Sequence, residues 1–442
     1  MPAFYSGMRV AYSSAGGTAA VAVAAPANDV GSALGCTLSS QFQPIFSLAH
    51  RRPVGYEGLI RARDAAGAVV TPAELFRRAP RGAPRIDLDR RCRSLHVQNF
   101  QQAGESRGWL FLNVDPYVAI EGPRYGSFFA HMLHENGLAP HRVAVELIES
   151  QVMSEASLAA AVEYYREMGC VIVIDDFGAG YSNFDRIWRL RPNIVKIDRE
   201  MTRRIGVEAR VRYMFSGIVS VLHQAGALVC VEGIETEHEA LCALDAGADL
   251  VQGRLFAPPA PQLVDEHACG ELFSRLFAQF GEESAEYRVR RRASLQEYSS
   301  ALERAAGRLA RGSLHDFSGA MQPLLQLRCT QRCYLIGGDG TQLGANLEAE
   351  RSPFGRDRRL EPMRPGAGTN WQAKPYFRRA AEAPGEVQVS RPYLSVTGPR
   401  LCVTISLGCI VQGALVVACV DIDYESLAGD DLSFGVGVAD RV

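Results

Sequence analysis

Eight polar side chains stand where short, apolar, strand-like runs of the chain end. They are five carboxylates, one ammonium and two amides: Glu57, Asn113, Glu146, Asp175, Asp176, Lys196, Glu232 and Gln252. If these strand ends meet, five carboxylates facing one ammonium would repel one another at a prohibitive cost unless counter-ions balance them. Two divalent cations bring four positive charges and Lys196 brings a fifth. The set therefore predicts a two-metal site.

The type of ligand atom narrows the chemistry. Oxygen donors without histidine or cysteine favour hard ions such as Mg²⁺ or Mn²⁺ over Zn²⁺. The adjacent pair Asp175 and Asp176 is suited to bridging two ions. Two such ions can generate a nucleophile from water and stabilise both oxygens of a phosphoester displacement. A single carboxylate at a strand end is more often a helix cap or a surface residue, but seven strand ends together favour phosphodiester hydrolysis.

Eight apolar runs alternate with amphipathic stretches of helical period. Eight strands within roughly 220 residues favour a (β/α)8 TIM-like barrel, whose chemistry gathers at the carboxyl ends of the strands, and a doubly wound sheet is the alternative. The runs are Phe42–Leu48, Val54–Ile60, Trp109–Val114, Val143–Ile148, Val171–Ile174, Ile194–Ile197, Leu228–Val231 and Leu250–Phe256.

The pattern changes after Pro258 and Pro259, first to a polar helical region and then to a second strand-rich region. A hairpin is predicted around Asp339-Gly340, and two strands are predicted to turn near Gln412-Gly413. We therefore predict an α/β protein of four parts. These are a flexible N-terminal segment (1–37), the barrel (38–262), a helical connector (263–326) and a smaller α+β domain (327–442).

Composition excludes several classes of protein. The formal net charge of −2 gives no electrostatic footprint for duplex nucleic acid. The 11 scattered cysteines favour a reduced compartment over a disulfide framework. Polar residues and glycines interrupt the apolar stretch 401–420, and the Ala/Gly-rich stretch 16–28 is a weak signal sequence. We expect a cytoplasmic protein without a membrane span.

The motifs around the polar set closely resemble those of the bacterial EAL-domain cyclic di-GMP phosphodiesterases. The resemblance covers about residues 38–259 and follows the family's motif order. It is carried by Phe42-Gln43-Pro44-Ile45, Tyr56-Glu57-Gly58-Leu59-Ile60-Arg61, Asn113 in its Asn-x-x-Pro phrase, Glu146 in Val-Glu-Leu-Ile-Glu, the segment Asp175–Ser182, Lys196-Ile197-Asp198, Glu232–Thr236 and Gln252–Phe256.

The resemblance implies hydrolysis of cyclic di-GMP to linear pGpG. The metal ligands that it implies are Glu57, Asn113, Glu146, Asp175, Asp176 and Glu232. Lys196 would orient the attacking water, and Glu232, Gln252 and Glu235 would act with it, Glu235 by holding the loop Asp176–Ser182. The implied substrate contacts are Gln43, Leu59, Arg61 and Asp198.

Three positions depart from the family pattern. Gly58 stands where the signature Glu-Ala-Leu has alanine, and Ala179 and Asn183 replace the usual Thr and Ser. We expect little loss from Gly58, because only a methyl is removed, and we expect the loop changes to tune the rate or dimerisation. The rival hypotheses are an inactive cyclic di-GMP receptor and a metal-dependent barrel enzyme acting on a carboxylate substrate. Every ligand position is filled, which favours the phosphodiesterase.

The C-terminal region carries three characteristic phrases, which are the hairpin Tyr334–Leu343, Trp371 with Pro375-Tyr376-Phe377, and Ser390-Arg391-Pro392-Tyr393. They resemble PAS and Cache-like sensor domains. The resemblance implies an antiparallel sheet that cups a small molecule against Trp371, Tyr376 and Arg391 and regulates the barrel. The alternative is that these aromatic side chains are core packing and that the domain only dimerises. A homodimer is expected from the family and from the helical connector.

Overall fold

The computed structural model of the chain describes residues 31–104, 108–121, 127–148, 155–179, 184–350, 366–394 and 401–428. Most of the predicted N-terminal segment and positions 180–183 of the predicted loop lie outside them. The strands of the first part are β1 Gly31–Ala33, β2 Cys36–Ser47, β3 Arg52–Arg63, β4 Val69–Val70, β5 Trp109–Val114, β6 Val143–Ile148, β7 Val171–Phe177, β8 Ile194–Ile197, β9 Leu228–Val231 and β10 Leu250–Val251. Its helices are α1 Pro72–Arg78, α2 Ala83–Gln102, α3 Pro116–Glu121, α4 Phe128–Glu135, α5 Glu155–Glu167, α6 Phe184–Leu190, α7 Arg199–Val207, α8 Ala209–Gln224 and α9 Glu237–Ala246, with a 3-10 turn at Pro140–Arg142.

Eight of these strands close into a barrel, which confirms the predicted fold. The ring runs β2-β10-β9-β8-β7-β6-β5-β3, and pairing of β3 with β2 closes it. The barrel departs from the all-parallel strand arrangement of a regular (β/α)8 barrel at one strand, because β2 is antiparallel to both β3 and β10. The segment between β2 and β3 is too short for a crossover helix, so these two strands form a hairpin. The reversal places Gln43 of β2 opposite Glu57 of β3.

The longest helix, α10 (Gly270–Arg311), connects the barrel to the C-terminal region. Phe273 and Leu276 in its first turns are fully buried in the core that the outer barrel helices share. Leu302 and Leu309 near its other end are fully buried in the core of the second sheet. Residues that the sequence assigned to a connector therefore complete the barrel, and the barrel core extends past position 262.

The C-terminal region is an antiparallel sheet in the order β12-β11-β16-β15-β13, with β14 paired to β15. The predicted turn at Gln412-Gly413 is confirmed, since both residues have positive φ and join β15 to β16. The predicted hairpin around Asp339-Gly340 is also confirmed. The elements are α11 Phe317–Leu325, β11 Thr330–Gly337, β12 Gln342–Glu348, α12 Pro375–Glu382, β13 Val387–Val389, β14 Tyr393–Leu394, β15 Leu401–Val411, β16 Ala414–Asp423 and α13 Tyr424–Ala428, with a 3-10 turn at Leu314–Asp316.

The aromatic residues proposed to cup a ligand lie in the interior of this domain. Trp371 and Tyr376 are buried in one cluster with Tyr334 and Phe377. Arg391, the third member of the predicted cup, is exposed. This burial supports the alternative in which the aromatic side chains are core packing.

The cysteines and the apolar stretches give two further results. All eleven cysteines are unpaired, and ten of them are buried. Within the described ranges, no helix combines the length and apolar character that a bilayer span requires.

Candidate active site

An apolar layer inside the barrel lies directly beneath the predicted polar residues. Successive side chains of a strand point to opposite faces, so residues two apart share a face. Seven buried residues each lie two positions along the chain from a member of the polar set or from Gln43. They are Ile45 on the reversed strand and, on the others, Phe111, Ala144, Val173, Ile194, Cys230 and Leu250. The polar side chains therefore form the next layer of the barrel interior, at its mouth.

The Glu57 carboxylate is the best connected group at the mouth. Its Oε1 accepts a hydrogen bond from Asn113 Nδ2 at 2.9 Å, and its Oε2 accepts one from Gln252 Nε2 at 2.8 Å. Lys196 Nζ donates to the same Oε2 at 3.2 Å. Burial raises the pKa of Glu57, but the Lys196 ammonium and these donors outweigh it, so the pKa is lowered overall. Glu57 is therefore held ionised.

Lys196 is the cation around which the carboxylates gather. Its side chain is 1 % exposed, and its Nζ lies 2.6 Å from Glu146 Oε1 and 3.6 Å from Asp175 Oδ1. It also contacts Glu232. Burial lowers the pKa of Lys196, but the surrounding carboxylates raise it well above its ordinary value. The ammonium therefore stays charged.

A backbone irregularity brings Asp175 and Asp176 to the same site. Neighbouring residues of a regular strand point to opposite faces. The register of β7 against β8 shifts between Ile174 and Phe177, and Asp176 has a φ of 58°, in the left-handed region. Carboxylate oxygens of Asp175, Asp176 and Glu232 consequently all lie within 4.8 Å of one another. Non-glycine residues with positive φ are uncommon and concentrate at functional sites.

Gly253 fixes the position of Gln252 at the rim. A Cβ at Gly253 would lie 2.0 Å from the carbonyl oxygen of Ile234. Only glycine permits this approach, which lets the Ile234 N–H donate to the Gln252 carbonyl at 3.1 Å. The segment that carries Glu232 is thereby packed against the segment that carries Gln252.

The site carries more negative charge than its own cation balances. Burial, reinforced by the other carboxylates, raises the pKa of Glu146 well above its ordinary value and that of Glu232 to about 8. Burial and Asp175 raise the pKa of Asp176 to about 6. Glu146 Oε1 is ion-paired with Lys196, whereas Glu146 Oε2 is buried without a hydrogen-bond partner. Unsatisfied oxygen donors around excess negative charge fit divalent cations that prefer oxygen ligands.

The predicted substrate-contact residues surround this site. Gln43 Oε1 accepts from Gln252 Nε2 at 3.3 Å, so Gln43 joins the mouth. Arg61 is half-buried two positions beyond Leu59 on β3, and its Nε donates to Gln41 Oε1 at 2.7 Å. The Asp198 carboxylate caps α7 by accepting the Glu200 N–H. Asp198 also faces the site, since its charge contributes to the raised pKa of Asp176.

Glu235 forms an exposed ion pair at the edge of the site. Its Oε1 lies 3.7 Å from Nη1 of Arg254, and both side chains are largely exposed. Positions 180–183 of the loop that it was expected to hold lie outside the described residues. Its loop role therefore stays a prediction.

Two residues near the site were missed by the sequence analysis. Gln41 positions Arg61, and its spacing of two from Gln43 on one strand was a usable signal. His96 of α2 packs against Gly58, the neighbour of Glu57. A lone histidine on a helix 38 positions away carries no sequence signal of this contact.

The chain is similar to several known proteins. Residues 28–259 match the model of the EAL domain family. The cyclic di-GMP phosphodiesterase RocR of Pseudomonas aeruginosa is 33% identical over 132 residues, which are 30% of this chain and 34% of RocR. The uncharacterized EAL-domain protein YkuI of Bacillus subtilis is 24% identical over 349 residues, covering 76% of this chain and 82% of YkuI.

A solved structure shares the fold over most of the chain. The crystal structure of YkuI, in complex with substrate cyclic di-GMP and calcium, matches with a TM-score of 0.71 at 23% identity, covering 87% of this chain and 96% of that one. The chain spans only about a third of RocR and of a second relative, an uncharacterized protein of Azorhizobium caulinodans. Since the family model covers more than half of the residues, the chain belongs to the EAL domain family.

Proposed function

We propose that this chain hydrolyses cyclic di-GMP to linear pGpG in the cytoplasm by a two-metal mechanism. The observation that carries the proposal is the charge imbalance at the barrel mouth, where four carboxylates with raised pKa values and the ionised Glu57 surround the single ammonium of Lys196. Membership of the EAL family and similarity to a relative named a cyclic di-GMP phosphodiesterase support the choice of substrate.

Two divalent cations, Mg²⁺ or Mn²⁺, would be held by the oxygen donors at the mouth. The proposed ligands are Glu57, Asn113, Glu146, Asp175, Asp176 and Glu232. When bound, such cations neutralise charge on the phosphate and lower the pKa of water. The buried Glu146 Oε2, which has no hydrogen-bond partner, supports this assignment.

The side chains of the chain position the reactants. Lys196, which keeps its charge, would orient the attacking water and stabilise negative charge on the phosphate. Gln252 and Asn113 fix the two oxygens of Glu57. In the reaction the water oxygen bonds to phosphorus, the bond from phosphorus to one ribose O3′ breaks, and that O3′ gains a proton. The ring opens into a linear dinucleotide.

The substrate would be held beside this site by groups on β2, β3 and the start of α7. Arg61 would bind a phosphate, since its guanidinium is only partly exposed and is oriented by Gln41. Gln43 and Asp198 would contact a guanine edge, and Leu59 would pack against the nucleotide. Hydrogen bonding of Gln43 to Gln252 supports a continuous surface from the base to the reacting phosphate.

The deciding experiment is incubation of the purified full chain with cyclic di-GMP and Mg²⁺ or Mn²⁺, with chromatographic detection of pGpG. The matched control is Lys196→Ala, in which product formation should be lost. Binding of cyclic di-GMP without any pGpG would overturn the proposal and favour the inactive receptor. Neither binding nor hydrolysis would exclude both functions.

We further propose that the C-terminal domain is a PAS- or Cache-like module that regulates the barrel or dimerises. Contacts between the two parts support coupling, since Tyr213 OH donates to the Pro392 carbonyl at 3.3 Å and the rings of Tyr213 and Tyr424 lie 6.2 Å apart.

A chain that ends at Glu286 tests this role, because it keeps the turns of α10 that complete the barrel core. Its hydrolysis rate and solution mass are compared with those of the full chain. The same rate and the same oligomeric state, calculated from the solution mass, would refute the regulatory role and the dimer role.

A further inference from the structure

The position of the family's signature alanine is filled from outside the barrel by a histidine ring. Gly58 faces outward from β3 toward α2, on the opposite face from Glu57. A Cβ at Gly58 would lie 2.9 Å from His96 Cγ and 3.2 Å from His96 Cβ and Cδ2. Contacts shorter than 3.0 Å essentially never occur at a real Cβ. The imidazole therefore occupies the space that an alanine methyl would take.

The His96 ring is fixed in this position. Its Nδ1 lies 2.9 Å from Ser40 Oγ, which also accepts a hydrogen bond from Asn99 Nδ2 at 3.1 Å. Its edge packs against Phe42, with ring centroids 6.4 Å apart. His96, Ser40 and Asn99 are at most 4 % exposed. Because Ser40 and Phe42 belong to β2, the ring connects α2 to both strands of the opening hairpin and cannot move aside without breaking a buried hydrogen bond.

Glu57 is sensitive to any displacement of β3. Its carboxylate is bonded to Asn113, Gln252 and Lys196, which come from three other strands of the barrel. Ligand distances at a metal site must hold to within about 0.2 Å. A shift of β3 by a few tenths of an ångström relative to the other strands is therefore enough to disturb the site.

We infer that His96 is a positioning residue for Glu57. The contact between His96 and Gly58 sets the distance between α2 and β3 and, through it, the position of the Glu57 carboxylate. The inference rests on the proposed function, in which Glu57 is a metal ligand. It has a specific consequence, which is that alanine at position 58 disturbs the site in this chain unless the side chain at position 96 is shortened.

The test is a double-mutant cycle in the full chain with Gly58→Ala, His96→Ala and the two combined. The measured quantities are the Mn²⁺ dissociation constant by calorimetry without substrate, the Tm, and kcat and KM for cyclic di-GMP. Gly58→Ala should weaken Mn²⁺ binding about tenfold or more, as expected when the support of a ligand is moved. The double variant should recover to within about threefold of wild type, because coupled sites are non-additive.

Gly217→Ala is the matched control, because Gly217 lies on α8 and a Cβ there meets no atom within 4 Å. It should leave Mn²⁺ binding unchanged. A role of His96 in packing alone would lower the Tm of Gly58→Ala without changing its Mn²⁺ affinity, and that result would overturn the inference. If Gly58→Ala does not fold, the double variant decides, since tenfold weaker Mn²⁺ binding by a folded double variant would also overturn it. Wild-type protein that binds no Mn²⁺ would instead refute the proposed function, and this inference with it.

Discussion

The barrel mouth and the C-terminal sheet both bury charged side chains, but they balance them differently. In the sheet, Arg332 Nε donates to Asp421 Oδ2 at 2.7 Å, and Asp421 Oδ1 accepts from Thr404 Oγ1 at 2.7 Å and from Tyr334 OH at 3.2 Å. Arg332 and Asp421 are at most 4 % exposed at the side chain. One cation thus faces one anion, which is surrounded by hydroxyl donors.

Among the described residues at the mouth, one ammonium faces five carboxylates, and Glu146 Oε2 is buried without a hydrogen-bond partner. The buried pair in the sheet is matched in charge, although Arg332 Nη1 has no hydrogen-bond partner. The set at the mouth is unmatched in charge, and such a set is stabilised by a further cation. Charge balance, rather than burial of charge, separates a structural network from a candidate active site.

Removal of divalent ions should have the largest effect on the function of the mouth. We expect EDTA to abolish hydrolysis and Mg²⁺ or Mn²⁺ to restore it, because the mouth lacks enough positive charge of its own. Ca²⁺ should support a lower rate, since its coordination geometry is looser. The bound ions should also raise the Tm. Full turnover in metal-free buffer would contradict the two-metal mechanism.

Lys196→Ala should lower kcat by about a hundredfold or more, because it removes a positioned charge that stabilises the transition state. Mn²⁺ affinity measured by calorimetry should be retained, since the oxygen ligands remain. Lys196→Arg should not restore the rate, because the planar guanidinium does not replace a compact ammonium. A wild-type rate in Lys196→Ala would refute its assigned role.

Asp421→Asn should act on stability and leave the mouth intact. It leaves Arg332 buried without its charge partner, at a cost of about 3–5 kcal/mol in the free energy of unfolding. Chemical denaturation measures this loss, and Mn²⁺ affinity should not change. The double variant Arg332→Met/Asp421→Leu should recover part of the stability, because it removes both buried charges but leaves the Thr404 and Tyr334 hydroxyls without their acceptor. Weaker Mn²⁺ binding in Asp421→Asn would show that the two regions are not independent.

His96 represents a third way to bury a titratable group, which is to keep it neutral. Its expected effect, on the free energy of unfolding at low pH, is the smallest of the four. Its pKa is lowered from 6.5 to about 4, mainly by burial, with the Glu57 carboxylate opposing the shift and the Arg61 guanidinium adding to it. Between these values the unfolded chain binds a proton that the folded chain does not. The free energy of unfolding should therefore decrease as pH falls, by up to about 3 kcal/mol from this group.

Denaturation of wild type and His96→Asn at pH 7, 6 and 5 measures that effect. The variant should lose less stability over this range than wild type. Parallel losses in the two proteins would show that His96 does not contribute.

Much of the barrel and its mouth was predictable from local patterns. Glu146, Lys196 and Glu232 each stand at the end of an apolar strand-like run. Because the carboxyl ends of parallel strands lie on the same face of a barrel, the sequence predicts that these residues share one layer. The reversal of β2 was not predicted as such, although the short gap before β3 allows only a hairpin.

Other features depend on contacts between residues far apart in the chain. The packing of His96 on Gly58 joins a helix to a strand, and neither residue type indicates it. The positive φ of Asp176 arises from the shifted register of β7 against β8, which is a property of two strands together. The first turns of α10 look like a polar connector because only a narrow apolar stripe, with Phe273 and Leu276, faces the barrel.

Because α10 is one continuous helix, the number of residues between its two buried ends determines how the C-terminal sheet is rotated relative to the barrel. Its 42 residues form a rod about 63 Å long at 1.5 Å per residue. One inserted residue would turn everything beyond it by about 100°. Seven inserted residues would restore the original facing to within about 20° while lengthening the rod by two turns. The number of residues inserted between the two buried ends therefore sets both the rotation and the distance of the C-terminal sheet relative to the barrel, and insertions of seven change the distance with little rotation.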